Sequence, residues 1–496
     1  MTAVGATVGT IRDVWIAGPG TELLPFTGAA DVLIEGGLIA DIAPAGVLAP
    51  RGETIDADGA WLVPGLWDHH VHVVQWALAA ERVDLEGTAS AAEAAARMGA
   101  SAPLPDGTRV GSGFRDAFWA DRPTLALIDA ETGDIPTYLI NADVHSVWLN
   151  SAALRQEGFT ADDGMLREEP AFEISRRLNA AGTERADALV LRAAQAAARR
   201  GVVGWVDLDM AWNAEAWERR TRAGFDVVRT EFGVYPPQLE RAIAEGLVTG
   251  DAVDAAGLAR VGSLKVITDG SLGTRTAACS HPYPGGDDRG LLTVEPEQLQ
   301  EWMSRAAGAG LACAIHAIGD RANSHALDAF AVTGAWGSIE HAQLVAHADI
   351  PRFARLGVTA SVQPVHALDD RDLTDVLWAG QTAQPYPLRA LVAAGANVTF
   401  GSDAPVSPLD PWAAIAAAVY RTRGDREPWA APERVSAQVA LAASTHRGSA
   451  SPDVIAPGAV ADLALVASDP LAAGERELRE MPVVATLLDG RLTHLA

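Results

Sequence analysis

Cysteine is nearly missing from this chain: 496 residues contain two, Cys279 and Cys313. Two cysteines cannot make the disulfide framework of a secreted scaffold, so a reducing, cytoplasmic setting is expected. Basic residues are scarce beside acidic ones. Lys and Arg number 38 against 64 Asp and Glu, a formal net charge of −26. That field repels nucleic acid and anionic membranes, so neither is an expected partner. No apolar run approaches the ~20 residues that a bilayer span needs. The stretch Met1-Thr2-Ala3-Val4-Gly5 lacks the basic and apolar regions of a signal peptide, and none is expected. What is present is 49% hydrophobic and 21% charged residues, the composition of a water-soluble globular chain. Its length suits several domains, or one large barrel with an accessory unit.

Residues 1–60 and 455–496 read as short strands. Asp31-Val32-Leu33-Ile34-Glu35, the turn pair Gly36-Gly37 and Leu38-Ile39-Ala40-Asp41-Ile42 spell a hairpin. Neither end has enough strands to close a core, so the two are expected to form one composite β-sandwich. Between them, strand-like runs alternate with Ala-rich helical runs, the pattern of βα units on a parallel sheet. Eight candidate strands stand at 61–66, 202–206, 226–232, 262–267, 311–315, 338–339, 358–362 and 397–400. Eight such units predict an α/β fold of the (β/α)8 TIM-barrel type over 61–81 and 186–454. The intervening 82–185 is too long for one βα connection and reads as an inserted subdomain over the active site.

The chemistry begins at Asp68-His69-His70-Val71-His72, directly behind an apolar run. On an extended backbone, residues i and i+2 point to the same side, so His70 and His72 can aim at one ion. Neutral imidazole suits zinc and its neighbours. Ligand-type residues recur at later strands: Lys265 among apolar residues, His316 after Leu311-Ala312-Cys313-Ala314-Ile315, His341 after Ser338-Ile339-Glu340, and Asp403 after Val398-Thr399-Phe400-Gly401-Ser402. Barrel active sites form at the C-terminal strand ends, where these residues fall. Each has an ordinary explanation by itself. A histidine after a strand is more often core or rim packing, a buried lysine more often ion-paired, and an aspartate there more often a helix cap. Six in barrel order set them apart.

Over nearly its whole length the chain resembles the amidohydrolase superfamily, specifically the amidohydrolase-3 (YtcJ-like) group, which includes N-substituted formamide deformylases. The resemblance rests on Pro64-Gly65-Leu66-Trp67-Asp68-His69-His70-Val71-His72, Asp143-Val144-His145-Ser146 and Lys265-Val266-Ile267-Thr268-Asp269-Gly270-Ser271. It continues in His316-Ala317-Ile318-Gly319-Asp320, Ile339-Glu340-His341-Ala342-Gln343 and Phe400-Gly401-Ser402-Asp403-Ala404-Pro405. It implies a metal-dependent hydrolase in which His70, His72, Lys265, His316, His341 and Asp403 bind one or two zinc-type divalent ions. In related hydrolases the strand-four lysine is carboxylated and bridges two metals. A single ion on His70, His72 and Asp403, with Lys265 unmodified, is the other arrangement.

The mechanism that follows is attack of metal-bound hydroxide on a C–N amide-type bond of a small molecule, an N-acyl or N-formyl amine. Asp403 is the expected proton carrier and His316 a stabiliser of the oxyanion. Asp68 is a candidate brace behind a ligand. Gln363 and His366 after strand seven, Arg275 after strand four, and His145 and Trp148 in the insert are the candidate substrate contacts. Arg275 would bind a carboxylate, or pair with Asp269 to hold its loop. Glu168 and Glu169 read as a solvated turn. A homodimer is the candidate assembly. Two alternatives compete: a mononuclear deaminase, disfavoured by Lys265 and by the absence of a Glu shortly after His316, and an inert metal-binding homologue, disfavoured because every ligand-type residue is present.

Overall fold

The computed structural model describes residues 3–21, 24–104, 106–179 and 182–496. Eight parallel strands build the barrel: β1 (Leu66–Val71), β2 (Val202–Asp207), β3 (Arg229–Val234), β4 (Ala259–Ile267), β5 (Cys313–Ala317), β6 (Gly337–His341), β7 (Thr359–Val362) and β8 (Val398–Phe400). Each pairs with the next in that order. Helices such as Asn213–Arg222, Pro296–Gly308, Asp320–Thr333 and Pro411–Tyr420 lie between strands and bury their apolar sides in one large core. With both faces covered, the strands carry continuous Val, Ile and Leu runs rather than alternation.

The last gap, between β8 and β1, is closed by the segment after β8. The Asp403 N–H donates to the His70 carbonyl at 2.7 Å, and the His72 N–H to the Ala404 carbonyl at 2.9 Å. The Asp68 carboxylate ties the same seam, accepting the N–H groups of His70 and Ser402, each at 3.0 Å. Only glycine fits at Gly401, where a Cβ would lie 2.7 Å from the His70 nitrogen. The closure that completes the barrel therefore also sets Asp403 beside His70 and His72.

The first strand differs from expectation. The run 61–66 divides at Pro64-Gly65. Trp61–Pro64 leaves the barrel and pairs with Val8–Ile16 and Leu463–Val466, and Leu66–Val71 is the barrel strand. Pro64 has no N–H for a ladder. Gly65 passes so near the Val203 side chain that a Cβ would sit 2.4 Å from it. β5 and β6 also run two residues past their predicted ends, so His316 and His341 stand within strands.

Five strands from the N-terminal part and three from the C-terminal part share a second sheet. Its apolar core includes Ile11, Val32, Ile39, Leu62, Leu463 and Leu487. The hairpin of Ala30–Glu35 and Leu38–Pro44 turns at Gly36-Gly37. Between β1 and β2, where sequence signals were helical and turn-like, a five-stranded sheet runs in the order Met165–Arg167, Ser146–Leu149, Thr137–Asn141, Arg109–Phe114, Val83–Asp84. Helices Ala91–Ala100 and Leu125–Thr132 cover it, each started by a side chain, Ser90 or Thr124, that accepts a first-turn N–H. Cys279 and Cys313 are buried and unbridged. Among the described residues no helix is long and apolar enough to cross a membrane.

Candidate metal centre

His70, His72, Lys265, His316, His341 and Asp403 all line one cavity at the C-terminal rim of the barrel. His70, His341 and Asp403 form its tightest group, with one ligand atom from each lying within 4.8 Å of the others. Asp403 is the hub. Its Oδ1 lies 3.5 Å from His70 Nε2 and 3.3 Å from His72 Nε2, and its Oδ2 lies 4.0 Å from His341 Nδ1. His316 stands on the far side of His341, with ring centroids 4.5 Å apart. Residues separated by hundreds of positions meet here because each leaves the same end of a parallel sheet.

The rings are held from behind. His70 Nδ1–H donates to Glu340 Oε2 at 2.6 Å, which leaves Nε2 with its lone pair toward Asp403. Glu340 is itself fixed by the Ser338 hydroxyl. Gln363 Nε2 donates to the Ser361 carbonyl, so Gln363 Oε1 faces His341 Nδ1 at 2.9 Å. A carboxylate or amide behind an imidazole sets its tautomer and direction, the usual support of a metal-binding histidine. Glu340 and His341 are consecutive, yet both face the interior, which a regular strand forbids. The backbone resolves this at His341, where φ is 74°, followed by Ala342 at 41°. Asp403 also lies in the left-handed region, at 56°. Such conformations cost energy and persist where the surrounding structure enforces them, commonly at working sites.

The electrostatics suit a cation. Burial lowers the pKa of His70, His316 and His341; the Lys265 amine lowers it further at His70 and His316, and the rings of His316 and His70 do so at His341. For His72 burial also lowers the pKa, but its hydrogen bond to Asp403 wins and the net shift is upward. Burial alone would raise the Asp403 pKa, but His70 and His72 hold it well below the usual carboxylate range. Lys265, 2% exposed, has its pKa lowered by burial, while Glu340 and Asp403 pull the other way. His316 Nε2 is buried without a hydrogen-bond partner. Imidazoles beside a carboxylate are a donor set for a divalent metal ion, and the residues present fit one.

The insert and the segment after β7 roof the cavity with Arg115, Asp116, Asn141, Asp143, His145, His366, Asp369 and Asp370. His145 lies on this wall, 3.0 Å from Glu168 Oε2 through Nδ1 and 5.8 Å from the His316 ring. His366 lines the cavity too. Gln363 acts behind His341. Two candidates lie elsewhere. Arg275 is exposed. Its suggested partner Asp269 is buried and accepts the N–H groups of Ala278, Ile318 and Gly319. Trp148 points into the core of the insert with Phe114 and Leu139. Glu168 is not on a solvated turn. It accepts the Thr276 hydroxyl at 2.6 Å as well as pairing with His145, and only Glu169 is exposed, paired with Arg176 at 2.5 Å. Asp68 braces the seam. Glu340 was readable in principle, since it shares its strand face with Ser338 in the barrel interior. Asp116 and Asp143 carry no comparable local signal.

Residues 53–494 match the sequence profile of the Amidohydrolase family. Protein LONG AFTER FAR-RED 3 of Arabidopsis thaliana is 30% identical, the match covering 81% of this chain and 78% of that protein. An N-substituted formamide deformylase of Arthrobacter pascens is 26% identical over 94% of this chain and 95% of its own. The crystal structure of an uncharacterized metal-dependent hydrolase from Pyrococcus horikoshii superposes with a TM-score of 0.77 at 26% identity, covering 94% of this chain and 99% of that one. A profile that runs from residue 53 to 494, across the whole barrel and nearly all of the C-terminal segment, over a rim of imidazoles and a carboxylate fit for a divalent cation, places this metal-dependent hydrolase in the amidohydrolase family.

Proposed function

We propose that the protein hydrolyses a C–N amide-type bond of a small molecule, an N-acyl or N-formyl amine. The observation that carries this reading is the meeting of His70, His341 and Asp403 within 4.8 Å. The likeness to a formamide deformylase over nearly the full length supports the bond type. The six rim residues would hold two zinc-type ions, with Lys265 carboxylated. Burial favours the free amine of Lys265, the form that reacts with carbon dioxide, and the product anion would balance the ions. A divalent ion held there would bring the pKa of coordinated water down to about 7 and polarise a carbonyl.

The chain's own groups do the rest. The Asp403 carboxylate starts ionised and takes the proton of the attacking water at Oδ. As the C–N bond breaks, it returns that proton to the nitrogen, and a free amine leaves with the acid as the second product. His316 steadies the oxygen charge of the tetrahedral carbon. Glu340 and Gln363 keep His70 and His341 aimed throughout. The test is a panel of N-acyl and N-formyl amines assayed for free amine, with metal-loaded and chelator-treated enzyme. Metal-dependent amine release is expected. Ammonia from amidine compounds, with every amide left intact, would replace this reading with deamination.

A further inference from the structure

One side of the cavity is open. Phe172, Met210, Tyr235 and Ile267 line both the metal cavity and a second, open cleft. Beyond those four, its apolar walls are Pro236, Pro237, Leu291, Leu292, Val294 and Trp302. Its charged lining is Glu168, tied to His145 and Thr276, and the pair Glu169 and Arg176. Leu291 is 51% exposed, although it stands in an apolar wall. The inner end reaches the chemistry through two rings: Phe172 meets His145 edge-on at 5.1 Å, and His145 stands 5.8 Å from His316. Asp116, Asp143, Asp369 and Asp370 also line the metal cavity, with Arg115 standing 3.4 Å from Asp369 and 3.8 Å from Asp370.

We propose that this cleft holds an apolar substituent, alkyl or aryl, of the amide whose scissile bond lies on the cavity floor; this rests on the amide-hydrolase reading above. Continuity identifies the occupant. Four residues shared with the metal cavity serve a ligand that reaches both spaces, which an outer protein partner does not.

The test is a series of N-alkylformamides from N-ethyl to N-octyl. Turnover is measured as kcat/KM with metal-loaded enzyme, and binding by calorimetry with the same protein stripped of metal. Each added methylene is expected to raise both kcat/KM and affinity about two- to fourfold until the cleft is filled. Leu291→Asp should flatten the climb, and Leu291→Met should keep it. A flat series in both readouts, or a climb that Leu291→Asp leaves intact, overturns the proposal while amide hydrolysis stands. Affinity that climbs without any turnover supports the cleft and removes the reaction reading.

Discussion

The floor and the roof of the cavity are made by different means. On the floor, each of the six side chains leaves a barrel strand or the segment just after it, and three of them are braced from a different strand. Glu340 of β6 holds His70 of β1, Gln363 after β7 holds His341, and the β8–β1 seam holds Asp403. The roof is held by shorter links within the insert and to one loop. Asn141 donates to Asp116 at 2.9 Å, the Ser271 hydroxyl to Asp143 at 2.8 Å, and His145 leans on Glu168. A closed parallel sheet cannot shift one strand end without shifting its neighbours, whereas the roof can change residue by residue. The groups proposed to break the bond thus belong to the part that tolerates least change, and those proposed to face the rest of the substrate belong to the part that tolerates more.

Substitutions separate the two. The largest effect is expected from Asp403→Asn, which should cut kcat by about 10²–10⁴-fold while most metal stays bound, as read by steady-state kinetics beside elemental analysis. Activity retained in that variant would take Asp403 out of proton transfer. Glu340→Gln leaves every ligand in place but weakens the support of His70. Metal affinity should fall about 10–100-fold in a chelator competition. An unchanged affinity would make Glu340 a mere core residue. On the roof, Asp143→Asn should alter KM by about two- to tenfold, the worth of one hydrogen bond, with kcat nearly constant. A collapse of kcat instead would merge roof and floor into one unit.

The smallest effect lies at the far end of the barrel, where His446 Nε2 is 2.8 Å from Glu231 Oε1. Burial opposes both charges, but the pair raises the His446 pKa above 6.5 and lowers that of Glu231 below 4.5. Its stabilisation is therefore full between these two ordinary values. It fades as pH rises through the shifted histidine and as pH falls through the shifted glutamate. Half-exposure and solvent screening keep it below about 1 kcal/mol. Comparing Tm against pH for His446→Gln and the parent should show a gap within that window that narrows on either side. A gap that widens above it would contradict the pairing.

The same division governs how much the sequence discloses. The floor is legible because barrel strands announce themselves as apolar runs and their ends fall at fixed places. His70, His72, Lys265, His316, His341 and Asp403 could be named without coordinates, and the cavity gathers all six. The apolar run before His70 departs from expectation where Pro64-Gly65 passes the chain from one sheet to the other. The roof is not legible, because its contacts depend on how a separately folded insert lands on the barrel. Trp148 sits in a polar-looking motif beside His145, yet strand alternation turns it into the insert's core. Glu168 and Glu169 are neighbours of one chemical type, and only the fold decides that one faces the site and the other faces water. Arg275, a plausible anion binder by type, ends on the surface.

The most direct measurement is anomalous scattering at a metal absorption edge from crystals of the purified protein. The account predicts two peaks inside the ring of His70, His72, Lys265, His316, His341 and Asp403, with density for a carboxyl group on the Lys265 amine. Well-ordered side chains around a cavity that holds only water, or an ion bound anywhere but this ring, would contradict it.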